Sequence, residues 1–255
     1  MKQILLLTTV ILVPWLLAAQ ATSGEITYKE TIKIQIELPD GDEELKKMIP
    51  PSQSAAKVLV FNETVSLYKN AGAKSEGDVE VGHEEEGRAM KFVMKRPESI
   101  LFTDIDESAT VHQQEFFGRD FLVTGPAREC KWKLTGEKKK IGDYECQKAL
   151  LQDTASQVVA WFTPQIPVSA GPGGYGMLPG LILELDIDNG QRTTIVTKVD
   201  LKAVGKIEKP SKGKKVTADE FKAIEAEKMK EMGVEMGGQT KGVRMIIRTE
   251  DTGGH

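Results

Sequence analysis

The stretch Gly176-Met177-Leu178-Pro179-Gly180-Leu181-Ile182-Leu183-Glu184-Leu185 decides the fold, because a tightly specified turn opens straight onto a buried strand. Proline presets φ near about −65° and glycine accepts positive φ, so Pro179 and Gly180 suit positions i+1 and i+2 of a type II turn. After the turn, Leu181, Leu183 and Leu185 alternate with Ile182, Glu184 and Asp186, the period-two pattern of a half-buried strand. Upstream, Thr163 to Met177 is a long connection carrying four glycines and three prolines, with Trp161, Phe162 and Tyr175 at or near its ends. Connections longer than about 12 residues are uncommon in compact domains and often serve as lids or binding loops. Trp161, Phe162, Pro164, Gly171, Pro172, Tyr175, Leu178, Pro179 and Gly180 are therefore the candidate residues for contacting a ligand or partner. Aromatic rings beside a curved sheet suit the mouth of an apolar pocket. The competing reading is a stiff crossover packed on the core.

Working outward, Ile26, Tyr28, Ile32, Ile34, Ile36 and Leu38 share one parity and predict a long amphipathic opening strand. Lys57 to Lys69 reads as a hairpin around Asn62-Glu63, while residues 70–88 lack periodicity and read as a connection. Strands follow at Ala89 to Lys95, Ser99 to Asp104, Thr110 to Phe117 and Phe121 to Thr124. A hairpin around Lys138, then Ser156 to Phe162, Leu181 to Asp186 and Thr193 to Val204 complete the series. Neighbours this close leave no room for crossover helices, which predicts antiparallel pairing. One helix is well specified, over about 217–232. Thr217-Ala218-Asp219-Glu220 is a capping box, Val216 and Phe221 form a hydrophobic staple, and Gly233 is the natural stop. The expected fold is mainly β: a single curved, half-barrel-like antiparallel sheet in residues 22–250, with one C-terminal helix packed on it. Residues 251–255 read as a flexible tail.

Residues 1–21 read as a secretory signal: Lys2, an apolar stretch from Ile4 to Ala19, and the small-x-small site Ala19-Gln20-Ala21. About 15 apolar residues fall short of the roughly 20 that a spanning helix needs, so no membrane span is expected in the mature chain. The expected location is periplasmic or extracellular. Removing Lys2 takes the formal charge from −4 to −5, a mildly acidic balance without the clustered basic face that nucleic acid requires. The run Lys206 to Lys215 is broken by Pro210 and Gly213 and reads as a solvated linker. Cys130 and Cys146 are the only cysteines. Export and a hairpin centred midway between them favour a structural disulfide over two reduced thiols.

Catalytic chemistry finds little footing. His83, His112 and His255 are the only histidines, and none belongs to an HExxH or lies near a GxSxG elbow. His112 reads as a surface histidine in a strand, and His83 with Glu84 to Glu86 as a solvated acidic loop. No phosphate-cradling loop is present, since the glycines at 171–176 precede a strand. No catalytic residue, cofactor or metal is assigned. The weaker alternative is a soft-metal stripe of Met229, Met232 and Met236, whose thioethers suit Cu(I); methionine also fills irregular cores.

Ala160 to Pro167, Gly171-Pro172 and Leu178 to Ile182 together resemble the signature of the GLPGLI family, exported proteins found mainly in Bacteroidetes. Gly24 to Tyr28, Phe117 to Val123, Trp132 to Leu134 and Ile141 to Ala149 extend the likeness over most of the mature chain. Met177 stands where the family name has a glycine. The resemblance implies export and an architecture, and carries over no catalytic residue. The expected function is a non-enzymatic envelope protein that binds an apolar ligand or a partner protein on a curved sheet. The alternatives are an adaptor for an outer-membrane transporter or secretion system, and copper handling.

Overall fold

The computed structural model describes residues 21–34, 36–37, 50–72, 79–85, 88–94, 98–152, 155–231 and 244–245. Residues 1–20 of the expected signal segment (1–21), Met232, Met236 and the C-terminal tail lie outside them.

Twelve strands form one open sheet that does not close on itself. In chain order they begin with β1 (Gly24–Lys33), β3 (Ser52–Phe61), β4 (Val65–Asn70), β7 (Ser99–Asp104), β8 (Ala109–Phe116) and β9 (Arg119–Pro126). The series continues with β10 (Trp132–Ile141), β11 (Tyr144–Leu151), β12 (Val158–Thr163), β13 (Leu181–Ile187), β14 (Arg192–Leu201) and β15 (Lys214–Thr217). Across the sheet the order is β10-β11-β12-β13-β14-β1-β3-β4-β7-β8-β9-β15. Two small sheets stand apart: β2 (Ile36–Glu37) with β16 (Arg244–Met245), and β5 (Val79–Glu85) with β6 (Arg88–Met94). The stretch expected to be an aperiodic connection thus includes a strand, and His83 and Glu84 pair with Met90 and Ala89 instead of lying in a loop.

Local chemistry explains the tight turns. Asn62 Oδ1 accepts the N–H groups of Thr64 and Val65 at 3.0 and 2.9 Å, an Asx turn that closes β3 onto β4. Phe117 and Gly118 both take positive φ, as a two-residue hairpin between β8 and β9 demands. Directly paired residues share a face, so Ile26, Leu59, Tyr68, Leu101 and His112 form one row across five strands.

Antiparallel pairing holds throughout the large sheet except at its edge, where β15 lies parallel to β9. The reason is the route of the chain. β14 ends in the middle of the sheet, and residues 202–213 lead from there to the edge across β7 to β9. Lys209 Nζ lies 5.8 Å from the Phe102 ring, Lys212 N–H donates to Gln113 Oε1 at 3.2 Å, and Lys212 Nζ meets Asp120 at 2.7 Å. The basic run read as a solvated linker is a strap over the sheet.

The helix α1 (Ala218–Glu231) begins as its capping box demands: Thr217 N–H donates to Glu220 Oε2 at 2.7 Å and Glu220 N–H to Thr217 Oγ1 at 3.2 Å. It buries only Phe221, against Phe121, Val216 and the half-buried Phe116, Val123 and Ile224. The helix therefore seals the β9–β15 edge, and the sheet does not wrap around it. A helix with a single fully buried side chain cannot fill a core this wide.

No disulfide joins Cys130 to Cys146. The hairpin turns at Gly142-Asp143, not at Lys138, so Cys146 lies opposite Lys139 while Cys130 falls beyond the Trp132–Leu151 pair. At about 3.3 Å per residue the two are separated by roughly 20 Å along the strands, far outside the roughly 7 Å that a disulfide spans.

Candidate functional site

The connection between β12 and β13 carries every candidate ligand- or partner-contacting residue except Trp161 and Phe162, which lie on β12. The chain first zigzags. Val168 N–H donates to Ile166 O at 2.8 Å, Ala170 N–H to Val168 O at 2.9 Å, and later Gly180 N–H to Leu178 O at 2.8 Å. These are i→i+2 closures, the γ-turn geometry, and proline at 167 and 179 supplies the central φ of two of them. Between them Pro172–Gly174 makes one turn of 3-10 helix.

The turn at Pro179-Gly180 is accordingly a γ-turn, not the expected type II turn. Gly180 sits at φ 157°, well away from the roughly +80° of a type II position. Its constraint is close approach: a Cβ there would meet the Thr163 carbonyl oxygen at 2.2 Å and the carbonyl carbon at 2.6 Å. Gly171 is also crowded, though less so, with Tyr175 O at 2.7 Å and Ile182 Cβ at 2.8 Å from a built Cβ. Met177, which stands where the family name has a glycine, takes φ 63°. The position does require a left-handed backbone, and a methionine bears the strain there.

This crossover wedges into a split in the sheet. β13 pairs with β14 only through Glu184–Ile187, whereas β14 continues beside β1 as far as Leu201. At the start of β13, Leu181 N–H donates to Ile166 O and Ile182 N–H to Ala170 O, both at 3.0 Å. A bulge opposite Trp161/Phe162 skips Leu183. It divides the apolar residues of β13 between two cores. Leu181 and Leu183 join Ile26, Tyr28, Leu59, Phe61, Ile166 and Val168. Ile182, Leu185 and Ile187 join Phe162, Tyr175, Leu178 and Cys130. The strand is thus buried on both sides at its start, where simple alternation predicted one. Tyr28 ties the halves together: its hydroxyl donates to Ile182 O at 2.6 Å, and burial pushes its pKa well above the usual phenol range.

Arg128 to Trp132, just before and at the start of β10, clamp the second half of the crossover. Arg128 donates to Tyr175 Oη at 2.8 Å and its guanidinium lies 4.4 Å from that ring. Trp132 Nε1 donates to Gly176 O at 2.7 Å, and Cys130 N–H points at Met177 Sδ at 3.2 Å. Met177 N–H donates to Ser169 Oγ at 2.7 Å. Among the candidates Phe162, Gly171, Pro172, Tyr175, Leu178 and Gly180 are buried, Trp161 is half-buried, and Pro164 and Pro179 are exposed. Trp161 faces the other way, with Lys139 Nζ 4.2 Å from its ring and Lys139 bound to Glu184 at 2.7 Å. A cleft beside Tyr175, bounded also by Glu30, Tyr68, Pro172 and Thr194, holds about 10 Å³, at the lower limit for a single water.

Sequence reasoning missed the surroundings of two groups. His112 is not a plain surface histidine: Ser99 Oγ lies 2.7 Å from its Nε2, and burial with the Lys57 charge lowers its pKa to about 4. Such an imidazole stays neutral at pH 7 but is a weak base, which ill suits it to activating the serine. Cys146 is fully buried, and burial raises its thiol pKa to about 11. Only its place on β11 could have hinted at this. Met229 is half-buried on α1, and no group of three or more His, Cys, Asp or Glu among the described residues is arranged to hold a metal. No helix of the described residues is long and apolar enough to cross a membrane.

A family model described as "Protein of unknown function (Porph_ging)" matches residues 152–184, which span β12, the whole crossover and the bulged start of β13. No curated protein matches the chain. Among solved structures the fold is similar to PNGF-II in a P21 space group, with a TM-score of 0.53 and 18% identity over 80% of this chain and 33% of that one. PNGF-II in a C2 space group gives 0.49 and 17%, over 78% and 32%. The likeness is one of fold, and the chain spans about a third of PNGF-II's length.

Proposed function

We propose that this is an exported cell-envelope protein of the GLPGLI type, which works by holding a partner protein and not by catalysis. The observation that carries the reading is where the apolar side chains of the crossover go. Ile166, Val168, Tyr175 and Leu178 are each 3% exposed or less, and the cleft beside Tyr175 has about 10 Å³ to offer. Ligand pockets for drug-sized molecules run to roughly 300–1,000 Å³. An aromatic-lined loop that spends its rings on its own core favours a rigid scaffold over a lipid carrier. Export rests on the sequence of residues 1–21, and the non-enzymatic reading on the lack of a nucleophile or metal motif.

Three measurements test it. The amino terminus of protein recovered from host cells should begin near Thr22; retention of residues 1–21 in a cytoplasmic fraction removes the export reading. Native mass spectrometry after mild extraction should show protein without a lipid-sized adduct, and a bound apolar molecule would restore the carrier reading. Cross-linking in intact cells should recover one defined envelope protein in repeat experiments. Consistent failure to do so would sink the partner reading.

A further inference from the structure

The long open edge of the sheet is β10. It is terminal in the strand order and pairs with β11 on one side; among the described residues nothing pairs with its other side. The opposite edge, β15, is four residues long and runs directly into α1. Edge strands present unpaired N–H and C=O groups, and proteins that add a strand from a partner use such a row. Glu145 N–H donates to Gln165 Oε1 at 2.8 Å, away from β10. The Lys140–Glu145 pair is therefore of the non-hydrogen-bonded kind, and the N–H of Lys140 points outward. Alternation along the strand turns the N–H of Lys138 outward as well.

The exposed charges on this edge that are left without an ion-pair partner among the described residues have one sign. Lys131, Lys133, Lys138 and Lys140 are exposed, and none is ion-paired to a carboxylate of the described residues. Lys139 turns inward to Glu184, and Glu137 is taken by Lys148. Leu134, 52% exposed, adds an apolar contact to the same strand. A second copy of β10 would bring lysine against lysine, which is unfavourable for directly opposed residues. An acidic strand meets complementary charge.

We propose that β10 docks an acidic, extended segment of another protein by strand addition, with backbone hydrogen bonds from Lys138 and Lys140 and ion pairs from the exposed lysines. This rests on the partner-binding reading and names its site. The test uses the mature chain and two acetylated decapeptides, one alternating glutamate with valine and the other lysine with valine. The acidic peptide should bind and slow amide hydrogen exchange at Lys138 and Lys140, while the basic peptide should not bind. Proline at an outward N–H is compatible with an edge strand, so Lys138→Pro and Lys140→Pro should keep the melting temperature yet weaken binding by about tenfold or more. The double charge reversal Lys138→Glu with Lys140→Glu, which leaves the backbone intact, should weaken it as much. No binding of the acidic peptide overturns the proposal. Equal binding by the proline variants does so too, since the contact would then be charge alone. If these variants still cross-link to an envelope partner in cells, the edge assignment fails while the partner reading stands.

Discussion

Two residues of the crossover, Gly180 and Met177, should tolerate mutation to different degrees. Gly180→Ala places a Cβ 2.2 Å from the Thr163 carbonyl oxygen and 2.9 Å from Pro164 Cα, so the end of β12 must move by more than an ångström. Forced repacking of this kind costs about 1–3 kcal/mol, and a side chain where glycine held positive φ adds about 1 kcal/mol. A total near 3 kcal/mol lowers the melting temperature of a domain this size by roughly 6–12 °C. Met177→Gly removes left-handed strain of about 1 kcal/mol, gives back a similar glycine entropy, and loses an exposed thioether with its weak contact to the Cys130 N–H, so it should change stability by about 1 kcal/mol or less. Met177→Val keeps the strain and adds β-branching at φ 63°, and should cost about 1–2 kcal/mol. Thermal unfolding followed by circular dichroism reads all three. A Gly180→Ala protein melting within about 2 °C of the parent, or a neutral Met177→Val, would refute the turn geometry.

Tyr28→Phe should cost about 1–2 kcal/mol in urea unfolding, because it strips the hydroxyl from the Ile182 carbonyl in a dry core. His112 is held neutral in the fold with a pKa near 4, against about 6.5 unfolded. The unfolded chain binds the extra proton first, so stability is complete above about pH 6.5 and is lost as pH falls toward about 4. Discounted for partial exposure, the loss is about 2 kcal/mol, and His112→Gln should flatten that part of the pH profile. Dithiothreitol should leave the melting temperature unchanged, and Cys146 should resist alkylation until urea unfolds the protein; a reductant-sensitive melt would show a disulfide after all. Phe221→Ala should release α1, lowering helical ellipticity before the sheet melts.

Sequence carried the strands and the helix start because both are written in local chemistry. Period-two apolar residues mark Ile26 to Tyr28 and Leu59 to Phe61, and Thr217 with Glu220 encodes its own cap. It could not carry what depends on distant partners. The hairpin after β10 was placed by the midpoint of two cysteines, yet Gly142 at positive φ fixes the turn, and a displaced turn slides every pairing along it. The parallel edge strand was invisible because a basic, proline-broken run looks the same whether solvated or laid across Phe102. The bulge at Leu183 depends on how β12 and β13 meet, so simple alternation missed it. In the candidate site, the importance of Gly180 was legible, but its reason was not. Conformational freedom explains a glycine from sequence alone, whereas the Thr163 carbonyl behind it needs coordinates.

The split between β13 and β14 gives the crossover its physical purpose. A twelve-stranded open sheet bends strongly through accumulated twist, and here the pairing opens where the halves diverge. The backbone groups exposed by that opening need partners, and Ile166 O and Ala170 O supply them to Leu181 and Ile182. A flexible loop would satisfy them only transiently; the γ-turn centred on Pro167 fixes the Ile166 carbonyl, which also accepts the Val168 N–H. The same segment sends Ile166 and Val168 into one core and Tyr175 and Leu178 into the other. Its length and composition, suggestive of a binding lid, are thus explained by a structural demand at the centre of the sheet. The wedge leaves the long lysine-bearing edge of β10 open, and that edge is where the proposed partner would dock.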